Sequence, residues 1–228
     1  MLLTHGFGAS QAMWAPNLEA LGADRRILTW DLPGHGASMV TGELTHEHCV
    51  EDMLELLDTL GASRAVVGGM SLGGFLSLLF CARHPERVAA LVLVDTGPGF
   101  RDDAAREAWN LWVGELADDL DTRGLAALSG GPESAVARHM SGAAGLATAA
   151  RAILTQRDGE VFQSLGQIAV PALILVGAED DRFLAAADAM ARRIPGAGKV
   201  LIEDAGHAAN MDQPAKFNRS VLEFLGDM

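Results

Sequence analysis

The seven residues Gly68-Gly69-Met70-Ser71-Leu72-Gly73-Gly74 constrain this chain more than any other stretch. Ala65-Val66-Val67 leads in as a short apolar β run. Phe75 to Arg83 leads out with Leu76, Leu79 and Phe80 at helical spacing, so the glycines sit at a strand-to-helix corner with Ser71 at its apex. A corner this tight forces a non-glycine residue into a strained backbone conformation and leaves no room for neighbouring side chains, which accounts for Gly69 and Gly73 at two residues on either side. G-x-S-x-G is the pattern of a nucleophile elbow, which lifts the hydroxyl clear of the sheet and aims the first free N–H groups of the next helix at whatever the oxygen attacks. Such a corner has two other uses. A dinucleotide cradle would place Asp95 near a ribose, but Met70 stands where a central glycine must let the backbone approach a pyrophosphate, and no lysine follows to make a P-loop. Ser71 as a plain helix cap is the other.

A chain of 228 residues is long enough to bury one substantial core. Apolar residues make up 49 %, yet no run approaches the roughly 18 residues of a membrane span. With 17 basic against 30 acidic residues, the net charge of −13 repels nucleic acid and anionic membrane alike, so neither is an expected partner. Tyrosine is absent, which excludes any mechanism needing a phenolic acid. Met1-Leu2-Leu3-Thr4-His5 has neither the basic nor the apolar region of a secretory signal, and Cys49 and Cys81 show no disulfide or metal spacing. A cytoplasmic location with reduced thiols is expected.

Taken in order, Leu2-Leu3-Thr4 reads as a strand end running into His5-Gly6-Phe7-Gly8, a turn whose exposed N–H groups could bind negative charge, the Phe7 N–H joining that of Leu72 as an oxyanion site. An ordinary glycine turn is the alternative there. A helix from about Gln11 to Leu21 precedes a second strand, Arg26 to Trp30. Asp31-Leu32-Pro33-Gly34-His35-Gly36-Ala37-Ser38 is then turn chemistry, in which His35 is either catalytic or a turn-stabilising hydrogen bonder. His46-Glu47-His48 lacks the i, i+4 spacing of a zinc pair, and Thr45 is the better cap for a helix from Glu47 to Leu60. Val88 to Val94 is apolar throughout, as in a parallel strand covered on both faces. Strands alternating with helices predict a doubly wound α/β architecture. The alternation stops from about Gly97 to Ile168, where only helical patterns recur, and the Ala/Gly-rich part from Gly124 to Gly145 is expected to be mobile. Strands at Ala172 to Val176 and Lys199 to Ile202, a helix between them from Leu184 to Ile194, and a terminal helix to Leu225 complete the chain.

Ser71, Asp180 and His207 each follow a sheet strand. A serine hydroxyl needs a base, an imidazole supplies one near neutral pH, and a carboxylate holds that imidazole in the useful tautomer. Glu179, Asp181 and, more weakly, Asp95 are fallback acids.

His5-Gly6-Phe7-Gly8, Asp31 to Ser38, Gly69 to Gly73, Gly177 to Asp180 and Gly206-His207 together resemble the α/β-hydrolase superfamily, specifically its small cytoplasmic members with a short helical lid. The resemblance spans nearly the whole chain. It implies an α/β-hydrolase fold, a mostly parallel sheet flanked by helices, with 1–96 and 169–228 as core and 97–168 as lid. It implies Ser71 as nucleophile, Asp180 as acid and His207 as base, Phe7 and Leu72 as oxyanion donors, and Met70, Trp109 and Trp112 as substrate-binding side chains. No cofactor and no metal are implied. Family members usually carry a two-strand hairpin ahead of the His-Gly segment; here four residues precede it, so those strands are expected to be missing and Leu2-Leu3 to lie at a sheet edge. The implied activity is hydrolysis of small to medium hydrophobic carboxylic esters through an acyl-serine. Lactonases, carbon–carbon bond hydrolases, cofactor-free perhydrolases and a menaquinone-pathway lyase share the triad, and some relatives of another class use it to bind a hormone-like ligand with little turnover.

Overall fold

In a computed structural model that describes residues 1–128 and 142–226, the apolar runs become strands of one parallel sheet. These are β1 (Leu2–Thr4), β2 (Leu28–Trp30), β3 (Ala65–Met70), β4 (Val88–Val94), β5 (Ala172–Gly177) and β6 (Gly198–Ile202). Among the described residues the sheet runs β2-β1-β3-β4-β5-β6, every neighbouring pair parallel. Strand alternation sends side chains to two cores. Leu91 and Leu93 of β4 face Met53, Leu76, Phe80 and Met190, while Val92 and Val94 face Trp14, Phe217 and Val221. The first face is covered by α2 (His46–Thr59), α3 (Leu72–Arg83) and α7 (Leu184–Arg193), the second by α1 (Ala15–Leu21), α8 (Ala209–Asp212) and α9 (Pro214–Gly226). Their apolar stripes make them cover those faces.

The expected Leu2-Leu3 edge is corrected. β1 lies inside the sheet, fully buried, because the chain leaves it for β2 on one side and returns past it to β3 on the other; β2 is the edge. That reversal of strand order between β1 and β3 opens a crevice at the carboxyl ends of the strands, where open α/β sheets bind ligands. The helix expected from Gln11 starts as a tight 3₁₀ turn, Gln11–Trp14, with α-helix only from Ala15, where Pro16 suits a first turn that needs no N–H. Thr45 caps α2, its Oγ1 accepting the His48 N–H at 3.2 Å.

Among the described residues no strand lies between Val94 and Ala172. That span holds α4 (Asp103–Arg123), α5 (Ala143–Ala149) running into a π-helical turn (Ala150–Leu154), and α6 (Glu160–Ser164). Val113 and Ala117 of α4 meet Ala150 and Leu154, and Leu120 meets Leu146 and Ala147, in two small clusters. Residues 129–141 of the stretch expected to be mobile lie outside the described residues. Among the described residues no helix is long and apolar enough to cross a membrane.

Candidate active site

Ser71 sits between β3 and α3 with φ 52° and ψ −115°, a conformation that costs a non-glycine residue about 1–3 kcal/mol and persists only when its surroundings hold it. Three bonds do so. The Ser71 N–H donates to the Val94 carbonyl at 3.0 Å, and the Ser71 carbonyl accepts the Phe75 N–H at 3.0 Å and the Thr96 hydroxyl at 2.6 Å. The flanking glycines are required by close approach: a Cβ on Gly69 would strike the Gly73 backbone, and one on Gly73 would strike the Thr4 carbonyl and lie 2.7 Å from the His5 oxygen.

The loop after β1 presses on this corner. A Cβ on Gly6 would lie 3.4 Å from Ser71 Cβ and 2.6 Å from Met70 Sδ. Met70, expected to bind substrate, is thereby corrected. It is 1 % exposed, packs beneath Gly6 in the core shared with Leu3 and Val92, and forms no part of the cavity wall, because strand alternation turns it away from the crevice. Among the described residues neither the Phe7 N–H nor the Leu72 N–H has a hydrogen-bond acceptor. For Leu72 this follows from its place in the first turn of α3. The Phe7 ring reaches the apolar clusters of α4 and α5.

Asp180 and His207 converge from the loops after β5 and β6. His207 Nδ1 lies 2.8 Å from Asp180 Oδ2, and because an ionised carboxylate only accepts, Nδ1 carries the proton and Nε2 is left as the basic nitrogen. Asp180 is 5 % exposed, whereas Glu179 and Asp181 face solvent. The Phe183 ring stacks on His207, centroids 4.9 Å apart and 16° between planes. Phe183 is also a wall of a cavity of about 450 Å³ into which Ser71 opens. Trp109 and Trp112 line its α4 side, their rings 4.8 Å apart, with the Trp109 indole N–H bonded to the Leu154 carbonyl at 2.8 Å.

A model of the alpha/beta hydrolase family matches residues 1–220. The chain belongs to that family. A Bacillus subtilis (strain 168) protein provisionally named 2-succinyl-6-hydroxy-2,4-cyclohexadiene-1-carboxylate synthase is 28 % identical, the match covering 97 % of this chain and 88 % of that protein. The pimeloyl-[acyl-carrier protein] methyl ester esterase of Aromatoleum aromaticum (strain DSM 19018 / LMG 30748 / EbN1) is 30 % identical over 94 % of this chain and 93 % of its own. The solved structure of MenH from S. aureus superposes with a TM-score of 0.91 over 100 % of this chain and 94 % of that one at 24 % identity, a likeness of fold. A hydrolase of this fold is thus shown, while the relatives differ in what they act on.

Several residues that position the hydrolase site carry no motif of their own in the sequence. Asp95, the weaker fallback acid, is buried with φ 44°, and its two carboxylate oxygens accept the Gly177 and Ala209 N–H groups, each at 2.8 Å. It thus ties the loop before Asp180 to the one after His207. Burial pushes its carboxyl up to about 7, against the pull of those two donors. His5 donates from Nδ1 to the Gly6 carbonyl at 2.7 Å and accepts the Leu32 N–H on Nε2 at 2.9 Å, joining the loops after β1 and β2. Burial holds its imidazole down to about 4 and that of neighbouring His35 to about 3. His35 Nδ1 lies 3.2 Å from the Pro33 carbonyl, the turn-stabilising alternative read from sequence. A Cβ on Gly36 would fall on the Asp31 carboxylate, which accepts the Gln11 and Ala37 N–H groups at 2.7 and 3.0 Å.

Proposed function

We propose that this hydrolase is a carboxylesterase-like serine hydrolase acting on small to medium hydrophobic esters through an acyl-Ser71 intermediate. The observation that carries this reading is the strained Ser71 opening into an apolar cavity whose Phe183 wall is stacked on the Asp180-paired His207. In the first half-reaction His207 Nε2 takes the Ser71 hydroxyl proton as Oγ attacks the ester carbonyl. The Phe7 and Leu72 N–H groups receive the oxyanion, a service typically worth about 10²–10³ in rate per donor. The alcohol leaves with the proton from His207. In the second half water adds with His207 as base, so that one ester and one water give one acid and one alcohol, and Ser71 is regenerated.

The helices between β4 and β5 act in this reading as a lid, with Trp109 and Trp112 meeting the substrate. The esterase relative supports ester cleavage. The synthase relative supports a second reading, in which the same triad abstracts a proton rather than attacking a carbonyl. Replacing Ser71 by Ala separates them from a folding effect: turnover of p-nitrophenyl butyrate should fall by about 10⁴-fold or more with an unchanged melting temperature. Retained ester turnover in Ser71→Ala would refute the acyl-serine.

A further inference from the structure

The cavity at Ser71 is apolar in most of its wall: Leu72, Phe75, Phe100, Trp109, Leu154 and Phe183 supply the bulk of it. Its polar side chains are therefore informative. The Thr96 hydroxyl is already used on the Ser71 carbonyl. Two others are not used. Gln156 is nine-tenths buried and its backbone is held on both sides by Asn110, at 2.7 and 2.8 Å, yet its side-chain Oε1 has no hydrogen-bond partner. A buried amide oxygen without a donor is costly, and such a group in a folded protein calls for an explanation.

Arg182 is the second. Many arginines of this acidic chain find a carboxylate, as Arg83, Arg87, Arg123, Arg151 and Arg157 do. Arg182, exposed and flanked by Asp181, has no carboxylate partner among the described residues and instead lays its guanidinium over the Trp112 ring, 5.2 Å from the centroid, on the cavity lining. A cation–π contact of this kind uses the charge and consumes none of the guanidinium N–H donors, which can meet a carboxylate in a two-pronged hydrogen bond.

We infer that the substrate of the Ser71 site is an acyl compound bearing a carboxylate remote from the scissile carbonyl, the carboxylate held by the Arg182 guanidinium, with Gln156 Oε1 open to accept from an N–H or O–H donor carried between the two ends. This rests on the hydrolase reading above. It gives the cavity a direction, with the reacting carbonyl at Ser71 and the charged end at Arg182. In a protein of net charge −13, which otherwise repels anions, such a substrate needs a dedicated cation.

The test compares p-nitrophenyl butyrate with mono-p-nitrophenyl glutarate, which adds the carboxylate and keeps the leaving group. At low ionic strength the ratio of kcat/KM should favour the glutarate about tenfold or more and shrink with added salt. The ratio should fall to about one in Arg182→Gln, fall below one in Arg182→Glu, recover in part in Arg182→Lys, and stay at its original value in Arg182's remote control, Arg219→Gln. A wild-type ratio at or below one, or a ratio unmoved by Arg182→Gln, overturns the inference while leaving the hydrolase intact. Consumption of neither ester would count against the hydrolase reading instead, and the anion is then read by equilibrium binding. With no tyrosine in the chain, tryptophan emission reports on the cavity directly. Saturable quenching by monomethyl glutarate, weakened about tenfold by Arg182→Gln, supports the inference, and absent or unaltered quenching overturns it.

Discussion

Around Ser71 the main chain packs on itself, whereas the α4 wall across the cavity meets the core through side chains. In the elbow a methyl group has nowhere to go: at Gly73 it would meet two carbonyl oxygens, at Gly74 the Thr96 side chain. In α4, Gly114 has nothing within 4 Å of where a Cβ would stand. In the first region Gly69, Gly73 and Gly74 have no room for a side chain, and that contact of backbone with backbone holds the nucleophile in place. The second is held by apolar clusters, by the Trp109–Leu154 and Asn110–Gln156 bonds, and by the exposed ion pairs of Arg151 with Asp118 and Asp121, any of which another sequence could replace.

Substitutions graded by expected effect sharpen the contrast. Gly73→Ala should lower stability by about 1–3 kcal/mol in urea unfolding and reduce ester turnover with it, since β1 or the elbow must shift to admit the methyl. An unchanged midpoint with full activity would erase the distinction between the two regions. Acid tests the buried polar groups of the rigid side. His5 and His35, held near 4 and 3 in the fold, take up protons more readily when unfolded, where an imidazole titrates near 6.5; their contribution to stability is therefore full above about pH 6.5 and is lost as pH falls towards 4. Asp95, raised to about 7, opposes this, because the folded state takes up its proton first as pH falls from 7 to 4. Asp95→Asn should consequently make the loss of stability on acidification steeper, as read from unfolding midpoints between pH 7 and pH 4; a shallower slope would contradict the assignment.

On the α4 side the expected effects are small and partly of opposite sign. Gly114→Ala fills empty space in a helix interior and should stabilise by about 0.5–1 kcal/mol without loss of turnover. Breaking the exposed pairs that Arg151 Nη2 makes with Asp118 Oδ1 and Asp121 Oδ2 of α4, at 2.7 and 2.8 Å, by Arg151→Ala should cost about 0–1 kcal/mol in the same assay. A loss as large as that from Gly73→Ala would mean that the two regions are equally constrained.

The same difference explains what could be read along the chain. Gly69, Ser71 and Gly73 announced the corner because only glycine fits where backbone meets backbone, and the apolar run of β4 announced a strand buried on both faces. Asp180 and His207 were marked by their places after β5 and β6. Met70 misled because adjacency to Ser71 in sequence says nothing of the face to which a strand residue turns. The strand order that puts β1 inside the sheet could not be read from Leu2-Leu3, since a short apolar run suits an interior or an edge alike.

The sequence by itself determined the local chemistry: a serine at a forced corner, an acid and an imidazole each at a strand end, and strand and helix patterns in the alternation of a layered α/β fold. Tertiary structure alone decided which face Met70 takes, that Asp95 binds two backbone N–H groups rather than the imidazole, and that Arg182 rests on Trp112 instead of a carboxylate. The physical reason is reach. Steric limits on the backbone act between neighbours and leave a residue-type signature, whereas hydrogen bonds and stacking between distant loops depend on where the whole sheet brings them, and many residue types could have served.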